Sequence, residues 1–257
     1  MRWDAEKYDS TKAPQVDAGR ELIVMAKVRD TDSVLDVGCG TGKLTMELAH
    51  LASGGNVTGI DPSAEMLEKA KEVFSTTGNV LLLTLPAQEM KFDGDFDLIF
   101  SNSALQWVKE QEQVMKLAYR ALKNGGRIAV QLPAKDFCWE MMENIYSAIS
   151  TLGLEAKYEK MESPWRFPLK DEFGGFLKDA GFGNINTFYR DYELVFDSIN
   201  DVCCWAESAA LRPYLAFLDE KMQERFKYAF AMGFENYRTE KGIEFSFRRL
   251  FAFAEKG

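Results

Sequence analysis

The sequence predicts an α/β protein built on a doubly wound, mostly parallel sheet. Between residues 30 and 133, short apolar runs alternate with segments whose apolar residues have helical spacing. The apolar runs are continuous and lack the alternation of half-exposed strands. Such runs are typical of parallel strands that helices cover on both faces. In sheets of this kind, ligands bind above the carboxyl ends of the strands.

Five of the seven predicted strands lie in this part of the chain. They are expected at residues 34–38, 56–60, 80–85, 96–100 and 127–132. Helices are expected over residues 16–26, 43–51, 62–74 and 114–124. Pro62 and Ser63 favour the start of a helix. The fourth helix is predicted to end at Asn124, because the following Gly125 and Gly126 are typical of a helix C-terminus.

After residue 133 the sequence changes to aromatic-rich helical segments interrupted by two strands. Helical and loop insertions are expected over 134–180, strands over 185–196 and 243–254, and helices over 198–218 and 221–237. We predict that the helices form a cap and that the two strands complete the sheet. The expected organisation is one domain over 1–257, with a cofactor-binding core at 30–133 and lid, cap and substrate-pocket elements at 1–29 and 134–240.

Composition and charge exclude several classes of function. The chain has 257 residues and a net charge of −9, which argues against bulk binding of nucleic acid or of an anionic membrane. No apolar run approaches the roughly 20 residues of a membrane-spanning helix. We expect a small-molecule partner, neither nucleic acid nor membrane, and either a monomer or a homodimer.

Metal and redox chemistry are not expected from the cysteines and the single histidine. Cys39, Cys138, Cys203 and Cys204 form no Cys-x-x-Cys pair. We interpret them as free thiols of a reducing compartment, which predicts a cytoplasmic protein. His50 has no ligand-spaced partner. Its position near the end of a predicted helix, at the surface, makes it a poor candidate for a catalytic base.

A glycine-rich loop directly after the first strand is the strongest functional signal. The chain runs Val34-Leu35-Asp36-Val37-Gly38-Cys39-Gly40-Thr41-Gly42 and continues into a helix. Glycines at this place let a ligand approach backbone N–H groups without a Cβ in the way. About 20 residues later the second strand ends in Asp61, whose carboxylate can accept hydrogen bonds from two ribose hydroxyls. Loop and acid together predict an adenosine-containing cofactor.

Two other nucleotide-binding loops fit the sequence poorly. A phosphate-binding Walker loop requires glycine at position 37 and Ser or Thr at position 44, where the chain has Val37 and Leu44. The dinucleotide pattern Gly-x-Gly-x-x-Gly would require a third glycine at position 43 or 45, where the chain has Lys43 and Thr45. The residue spacing therefore excludes a Walker loop and weakens the interpretation as a dinucleotide-binding loop.

The ordered motifs resemble those of class I S-adenosylmethionine-dependent methyltransferases. The resemblance rests on Asp36-x-Gly38-x-Gly40-x-Gly42, Asp61, Met66 and Phe96-Asp97-Leu98-Ile99-Phe100-Ser101-Asn102. A narrower likeness to trans-aconitate methyltransferases rests on Trp3-Asp4 with Tyr8, Asn102-Ser103-Ala104-Leu105-Gln106-Trp107, Gln131-Leu132-Pro133, Leu211-Arg212-Pro213-Tyr214-Leu215 and Phe247-Arg248-Arg249-Leu250-Phe251. The malonyl-acyl-carrier-protein methyltransferase of biotin synthesis is more distantly similar. The likeness implies a Rossmann-like methyltransferase fold, S-adenosylmethionine as cofactor and S-adenosylhomocysteine as product.

The resemblance also implies a set of cofactor-binding residues. They are Asp36, Gly38, Cys39, Gly40, Gly42, Asp61, Met66, Ala87, Gln88, Ser101 and Asn102. In this interpretation the glycine loop lines the methionine and ribose portions through its backbone. Asp61 holds the ribose, and Met66 packs on the adenine.

The remaining assignments concern the adenine edge and the amino-acid end of the cofactor. By resemblance, Ala87 and Gln88 face the adenine edge, and Ser101 and Asn102 meet the amino-acid end. Many relatives carry an acid near position 86 that binds the adenine amino group, where this chain has Pro86. Backbone at positions 87 or 88 would therefore have to make that contact.

The expected reaction is O-methylation of a small carboxylic acid. Methyl transfer from a sulfonium mainly requires alignment and exclusion of water, and positioning is worth about 7–11 kcal/mol. Because His50 is the only histidine, the sequence favours an acceptor that is already an anion. No residue is assigned as catalytic, and Tyr, Asp or Glu stay candidates for a base. A nicotinamide-dependent oxidoreductase and a non-catalytic module that binds S-adenosylmethionine are the alternatives.

Five residues are candidates for binding the substrate: Tyr8, Gln106, Trp107, Arg212 and Arg249. Arginine binds carboxylates through two parallel hydrogen bonds. Arg249 lies among phenylalanines on the last strand, where an unpaired charge would be costly. A structural ion pair is the alternative role for each arginine. Trp3, Tyr8 and Trp107 are candidates to close the pocket as a lid, with surface packing of the N-terminal segment as the alternative.

Overall fold

Strands and helices alternate through most of the chain, of which the computed structural model describes residues 14–74, 78–135, 137–208 and 210–257. The strands are β1 (Ser33–Val37), β2 (Asn56–Asp61), β3 (Val80–Thr84), β4 (Phe96–Asn102), β5 (Leu122–Pro133), β6 (Gly183–Phe196), β7 (Arg238–Thr239) and β8 (Gly242–Glu255). The helices are α1 (Pro14–Ala26), α2 (Lys43–Leu51), α3 (Ala64–Val73), α4 (Gln111–Ala121), α5 (Trp139–Thr151), α6 (Glu155–Tyr158), α7 (Lys170–Ala180), α8 (Ile199–Ser208), α9 (Arg212–Leu215) and α10 (Glu220–Gly233). Within these ranges no helix is both long and apolar enough to cross a bilayer.

The described strands form one sheet in the order β3-β2-β1-β4-β5-β8-β6, and the two-residue β7 pairs with β8. Strands β1 to β5 pair with one another in parallel. Strand β8 runs antiparallel to both β5 and β6. The prediction of a doubly wound, mostly parallel sheet of seven strands is confirmed, and β7 is a short addition that the sequence did not predict.

Helices cover both faces of the sheet, which explains why the strands are continuous apolar runs. Val34 of β1 packs in a cluster with Leu48 of α2 and with α1. Its neighbour Leu35 packs in a different cluster with Val114 of α4 and Phe173 of α7. Successive side chains of a strand point to opposite faces, and here both faces are buried.

The strand order places a crevice at the carboxyl end of β1. This strand lies between β2 and β4, so the connections that follow β1 and β4 leave toward opposite sides of the sheet. A ligand site is expected where the strand order reverses in this way. Residues 38–42 follow β1 and residues 103–107 follow β4, so both segments lie at this crevice.

The helix before β5 ends earlier than predicted, and the glycines after it have another role. Helix α4 ends at Ala121, and Asn124, Gly125 and Gly126 lie inside β5. The pairing of β4 with β5 shifts register at this point, and Gly125 has φ +75°. A Cβ on Gly126 would lie 2.8 Å from the carbonyl oxygen of Lys123. The glycines therefore form a bulge in a strand, which sequence spacing does not distinguish from a helix end.

The helix predicted over 198–218 is two helices, α8 and α9. Pro213 lies in the first turn of α9, a position that proline favours because its missing N–H has no partner there in any helix. In the interior of one long helix the same proline would remove a hydrogen bond. The break thus follows from Pro213.

The cap is built on the ends of β6 and β8. Strand β5 pairs with residues 249–255 of β8, so residues 243–248 extend beyond the carboxyl end of β5. Phe245 and Phe247 of this extension pack with Phe196 of β6 and with α5, α8 and α10. The aromatic residues of the second half therefore place the cap beside the ligand-binding edge of the sheet.

Candidate active site

The loop between β1 and α2 is shaped by three glycines in the left-handed conformation. Gly38, Gly40 and Gly42 have φ angles of +80°, +56° and +85°, a region that is costly for residues with a Cβ. The backbone N–H groups of Gly38 and Cys39 both donate to the carbonyl oxygen of Ile60, at 2.8 Å and 3.1 Å. The alternating glycines are thus required by the backbone of this loop, which is hydrogen-bonded to the end of β2.

Two of these glycines also differ in what surrounds them. A Cβ on Gly38 would lie 2.1 Å from the Cβ of Ala104, so Gly38 allows the turn after β4 to approach the loop. A Cβ on Gly40 would have no protein atom within 4 Å, and Gly40 lines a cavity. The space beside Gly40 is therefore open to a ligand.

The carboxylate of Asp61, the last residue of β2, is held by two backbone amides. Gly40 donates to Oδ2 at 3.0 Å and Ser63 donates to Oδ1 at 2.8 Å. Burial raises the pKa of Asp61, while these two hydrogen bonds act in the opposite direction. Each carboxylate oxygen can accept more than one hydrogen bond, so Asp61 is fixed in place with capacity left for a ligand's donors.

Asp36 is a second acidic group at this edge, and it is only 3 % exposed. Thr45 Oγ1 donates to its Oδ2 at 2.7 Å. Burial raises the pKa of Asp36 to about 7; the Thr45 hydrogen bond opposes this shift and the charge of Asp61 adds to it. Asp36 is therefore close to half-protonated at neutral pH, and a cationic ligand group beside it would favour the carboxylate form.

A cavity of about 400 Å³ extends along the carboxyl ends of the central strands, within the usual size of small-molecule sites. On the β3 side it is lined by Met66, Leu85 and Ala87. On the β4 side it is lined by Ser103 and Trp107. Asp36, Asp61 and the glycine loop lie between these two sides, so the cavity has an apolar slot, an acidic centre and a separate polar–aromatic end.

The structure brings many of the predicted site residues to this cavity. Those that line it are Asp36, Gly38, Cys39, Gly40, Asp61, Met66, Ala87, Gln88, Asn102 and Trp107. Those outside the lining are Gly42, Ser101, Gln106, Arg212 and Arg249. Ser101 Oγ donates to the carbonyl oxygen of Val37 at 2.9 Å, and a Cβ on Gly42 would meet the ring of Phe74 at 2.5 Å. Arg212 begins α9, and Tyr8 lies outside the described residues.

Gln106 stabilises the turn after β4. Its Nε2 donates to the backbone carbonyl oxygen of Ser103 at 2.8 Å, and its backbone carbonyl oxygen accepts from the backbone N–H of Arg166 at 2.8 Å. The side chain is only 7 % exposed. Gln106 therefore fixes the shape of the turn that presents Ser103 and Trp107 to the cavity.

A segment of the cap, which we call the strap (residues 163–168), is fastened over this turn. Its Trp165 ring lies 5.9 Å from the ring of Trp107, edge to face. Arg166 forms two hydrogen bonds of 2.6 Å with the carboxylate of Glu112, the bidentate geometry that favours strong pairing. Pro164 of the strap also lines the cavity. The strap thus holds Trp107 in place and covers the β4 side of the site.

Ser103 is a polar cavity residue that was not among the predicted site residues. Arg249 Nη2 donates both to Ser103 Oγ and to Gln131 Oε1. Arg249 is only 1 % exposed, and its guanidinium carbon lies 4.9 Å from the centre of the Phe247 ring. Ser103 therefore lies between the cavity and a buried cation.

The position of Ser103 directly after β4 was an available signal. Asn102, the last residue of that strand, was assigned to the site by resemblance. No local pattern pairs Ser103 with Arg249, because 146 positions separate them. Other lining residues that were not among the predicted site residues include Val16, Thr41, Lys43, Leu44, Leu85 and Pro164.

The residues present fit an adenosine-bearing cofactor with a cationic end. Gly40 leaves open space beside the backbone, Asp61 offers a fixed carboxylate, and the apolar slot around Met66 suits a flat base. Asp36 favours a nearby cation. In the ranges that the structure covers, no cluster of His, Cys, Asp or Glu side chains is suited to a metal ion.

Comparison with known proteins agrees with this geometry. A model of the methyltransferase domain matches residues 29–181. Trans-aconitate 2-methyltransferase of Deinococcus radiodurans is 28 % identical over 254 residues, covering 98 % of this chain and 94 % of that protein. An uncharacterised methyltransferase of Schizosaccharomyces pombe is 31 % identical over 188 residues, covering 70 % of each chain.

A solved structure shares the fold. Phosphoethanolamine N-methyltransferase 2 of Haemonchus contortus, in complex with phosphomonomethylethanolamine and S-adenosylhomocysteine, matches with a TM-score of 0.60 and 17 % identity, covering 93 % of this chain and 52 % of that one. The domain match spans more than half of the chain. The glycine loop and Asp61, which lie within the matched residues, line the cavity. The chain therefore belongs to the methyltransferase domain family and is an S-adenosylmethionine-dependent methyltransferase.

Proposed function

We propose that the enzyme methylates an oxygen of a small carboxylic acid. The observation that carries this proposal is the β4 side of the cavity, where Ser103 is backed by the buried guanidinium of Arg249. A cation behind a polar wall favours an anionic acceptor. Relatives that match 98 % of the chain are trans-aconitate 2-methyltransferases, and trans-aconitate is a carboxylic acid.

The described lining offers no strong general base on the acceptor side. It contains neither His nor Tyr, and His50 is exposed on α2. Burial raises the pKa of the Cys39 thiol well above its usual range, so this thiol stays protonated. Carboxylates have pKa values near 4 and are already anionic at neutral pH. The lining therefore suits an acceptor that needs no deprotonation.

The chain's own contribution is binding, orientation and exclusion of water. S-adenosylmethionine, when bound, supplies a methyl group on a sulfonium, which is a good leaving group. We assign Asp61 to the ribose, Asp36 to the cationic end and the slot around Met66 to the adenine. Trp107, held by the strap, covers the acceptor side. Such positioning is worth about 7–11 kcal/mol of the barrier.

The test is turnover of an acceptor panel with methyl-labelled S-adenosylmethionine. The panel contains trans-aconitate, citrate, hexanoate and, as an amine, ethanolamine. We expect labelled methyl esters from one or more acids and no product from the amine. Exclusive methylation of the amine would contradict the proposal. Cofactor binding without turnover of any member would favour the non-catalytic alternative.

Cofactor affinity is expected to increase with pH because of Asp36. The free protein holds a proton on this group below its pKa of about 7, and a cationic ligand favours the carboxylate, so binding releases the proton. If Asp36 stays ionised in the complex, affinity rises about tenfold from pH 6 to pH 8, and about half a proton is released at pH 7. Calorimetry in buffers of different ionisation enthalpy measures this release.

The matched variant is Asp36→Asn, which keeps the size of the side chain and removes its titration. Proton release that is due to the cofactor's own groups persists in the variant and is subtracted. Equal proton release by both proteins would rule out Asp36 as the linked group. Proton uptake in the wild type would contradict the expected direction.

A further inference from the structure

Ser103 has an unusual backbone conformation for a residue that carries a side chain. Its φ of +54° lies in the left-handed region, which non-glycine residues adopt mainly at turns and functional sites. Three contacts hold it there: its N–H donates to the carbonyl oxygen of Gln131 at 2.8 Å, its carbonyl accepts from Gln106, and its Oγ accepts from Arg249. The turn therefore fixes the direction of the Ser103 side chain.

The contact with Arg249 determines what the hydroxyl of Ser103 can do. A hydroxyl has one proton to donate and two lone pairs, and here a lone pair accepts from the guanidinium. Within the part of the chain that the structure describes, the acceptor for the Ser103 proton is Gln131 Oε1 at 3.5 Å, which is too long for a good O–H···O bond and already accepts from Arg249. The proton is therefore available to a ligand in the cavity that Ser103 lines.

We propose that Ser103 donates a hydrogen bond to the carboxylate of the acceptor, and that Arg249 is a positioning residue that acts through Ser103. This inference rests on the proposed function. A hydroxyl that accepts from a cation is a stronger donor, because hydrogen bonds in a chain polarise one another. Arg249 lies behind Ser103 and outside the cavity lining, so its charge reaches the acceptor through the hydroxyl.

The arrangement also predicts selectivity for acids over amines. A protonated amine has only donors to offer, and it would face the donating hydroxyl of Ser103 and the positive charge of Arg249. A carboxylate offers acceptor oxygens to the same groups. The fold is shared with an enzyme whose name states N-methylation of phosphoethanolamine, so the acceptor class is set by side chains such as Ser103 and not by the fold.

The first experiment compares Ser103→Gly with Ser103→Ala. Both variants remove the hydroxyl, and only Ser103→Gly also relieves the left-handed strain. We expect each to raise the KM for trans-aconitate about tenfold to a hundredfold, the range for a hydrogen bond to a charged group. The Kd of S-adenosylhomocysteine should stay within about twofold. Calorimetric binding of trans-aconitate to the enzyme loaded with S-adenosylhomocysteine gives a readout that needs no turnover.

The second experiment tests the role of Arg249 through a double-mutant cycle. Arg249→Lys, which keeps the charge and loses the guanidinium, should raise the KM for trans-aconitate in the wild-type background and leave it almost unchanged in Ser103→Gly, because the hydrogen bond that it disturbs is already absent there. Additive effects would show that Arg249 acts on the acceptor by another route and would overturn its assignment. Thermal unfolding of each variant confirms that it is folded.

Different outcomes overturn the proposed function and the role of Ser103. If the wild type binds and methylates none of the acids, the proposed function falls and this inference falls with it. If the wild type methylates an acid while Ser103→Gly and Ser103→Ala keep the wild-type KM, only the inference is overturned. If Ser103→Ala is impaired and Ser103→Gly is not, backbone strain and not the hydroxyl is responsible, which also overturns it.

Discussion

Replacing Gly40 with alanine is expected to weaken S-adenosylmethionine binding about tenfold to a hundredfold, the equivalent of the 1–3 kcal/mol that overpacking typically costs. A Cβ at this position meets no protein atom within 4 Å, and Gly40 lines the cavity. The methyl group would therefore occupy space that belongs to the ligand. The backbone N–H of Gly40 also donates to Asp61. Any shift of the backbone would therefore also disturb the carboxylate that we assign to the ribose.

The matched control is Gly94→Ala. Gly94 has φ +71°, its Cβ would also meet nothing within 4 Å, and it is exposed in the turn before β4. Both variants carry the same left-handed strain, roughly 1–2 kcal/mol, and we expect similar losses in urea unfolding. Only Gly40→Ala should lose affinity in calorimetry. Wild-type affinity in Gly40→Ala would mean that the cofactor does not approach this loop.

The glycine loop and Asp61 were predictable because local backbone geometry demands them. Left-handed φ angles at 38, 40 and 42 restrict those positions to glycine, and a strand that ends beside the loop puts its last residue within hydrogen-bonding distance of Gly40. Each of these requirements is visible within a short stretch of sequence. The fold followed for the same reason, since continuous apolar runs report burial on both faces.

The proposed acceptor side was less predictable because long-range packing builds it. Ser103 meets Arg249 from the last strand, and Trp107 meets Trp165 of the strap. Such contacts join residues that are distant in sequence, and no periodicity encodes them. Arg249 was a predicted substrate-binding residue because an unpaired charge among the phenylalanines of the last strand would be costly. Its direct contact with Ser103 depends on β8 lying beside β5, which a single sequence does not specify.

Removing the guanidinium of Arg127 is expected to destabilise the protein by about 3 kcal/mol or more, since breaking a buried ion pair typically costs 3–5 kcal/mol. Arg127 Nη2 lies 2.6 Å from Asp32 Oδ2, and the two side chains are 16 % and 3 % exposed. Arg127 also donates to the carbonyl oxygens of Ala26 and Lys27 at the end of α1. In Arg127→Met, the Asp32 carboxylate stays buried without its cation, and these carbonyls lose their donor.

Arg120→Met is the matched control, because Arg120 pairs with Asp93 on the surface at 2.9 Å, with side chains 59 % and 70 % exposed. Exposed pairs contribute about 0–1 kcal/mol, so its urea midpoint should shift little. The double variant Asp32→Asn/Arg127→Met should lose less than the sum of the two single variants, since it leaves no buried charge unpaired. Equal losses for Arg127→Met and Arg120→Met would show that the Arg127 pair is solvated like a surface pair.

Arg127 also connects the end of α1 to the sheet, and α1 contributes Val16 to the cavity. If Arg127→Met loosens α1, cofactor affinity should fall as well, which links this distant ion pair to the active site.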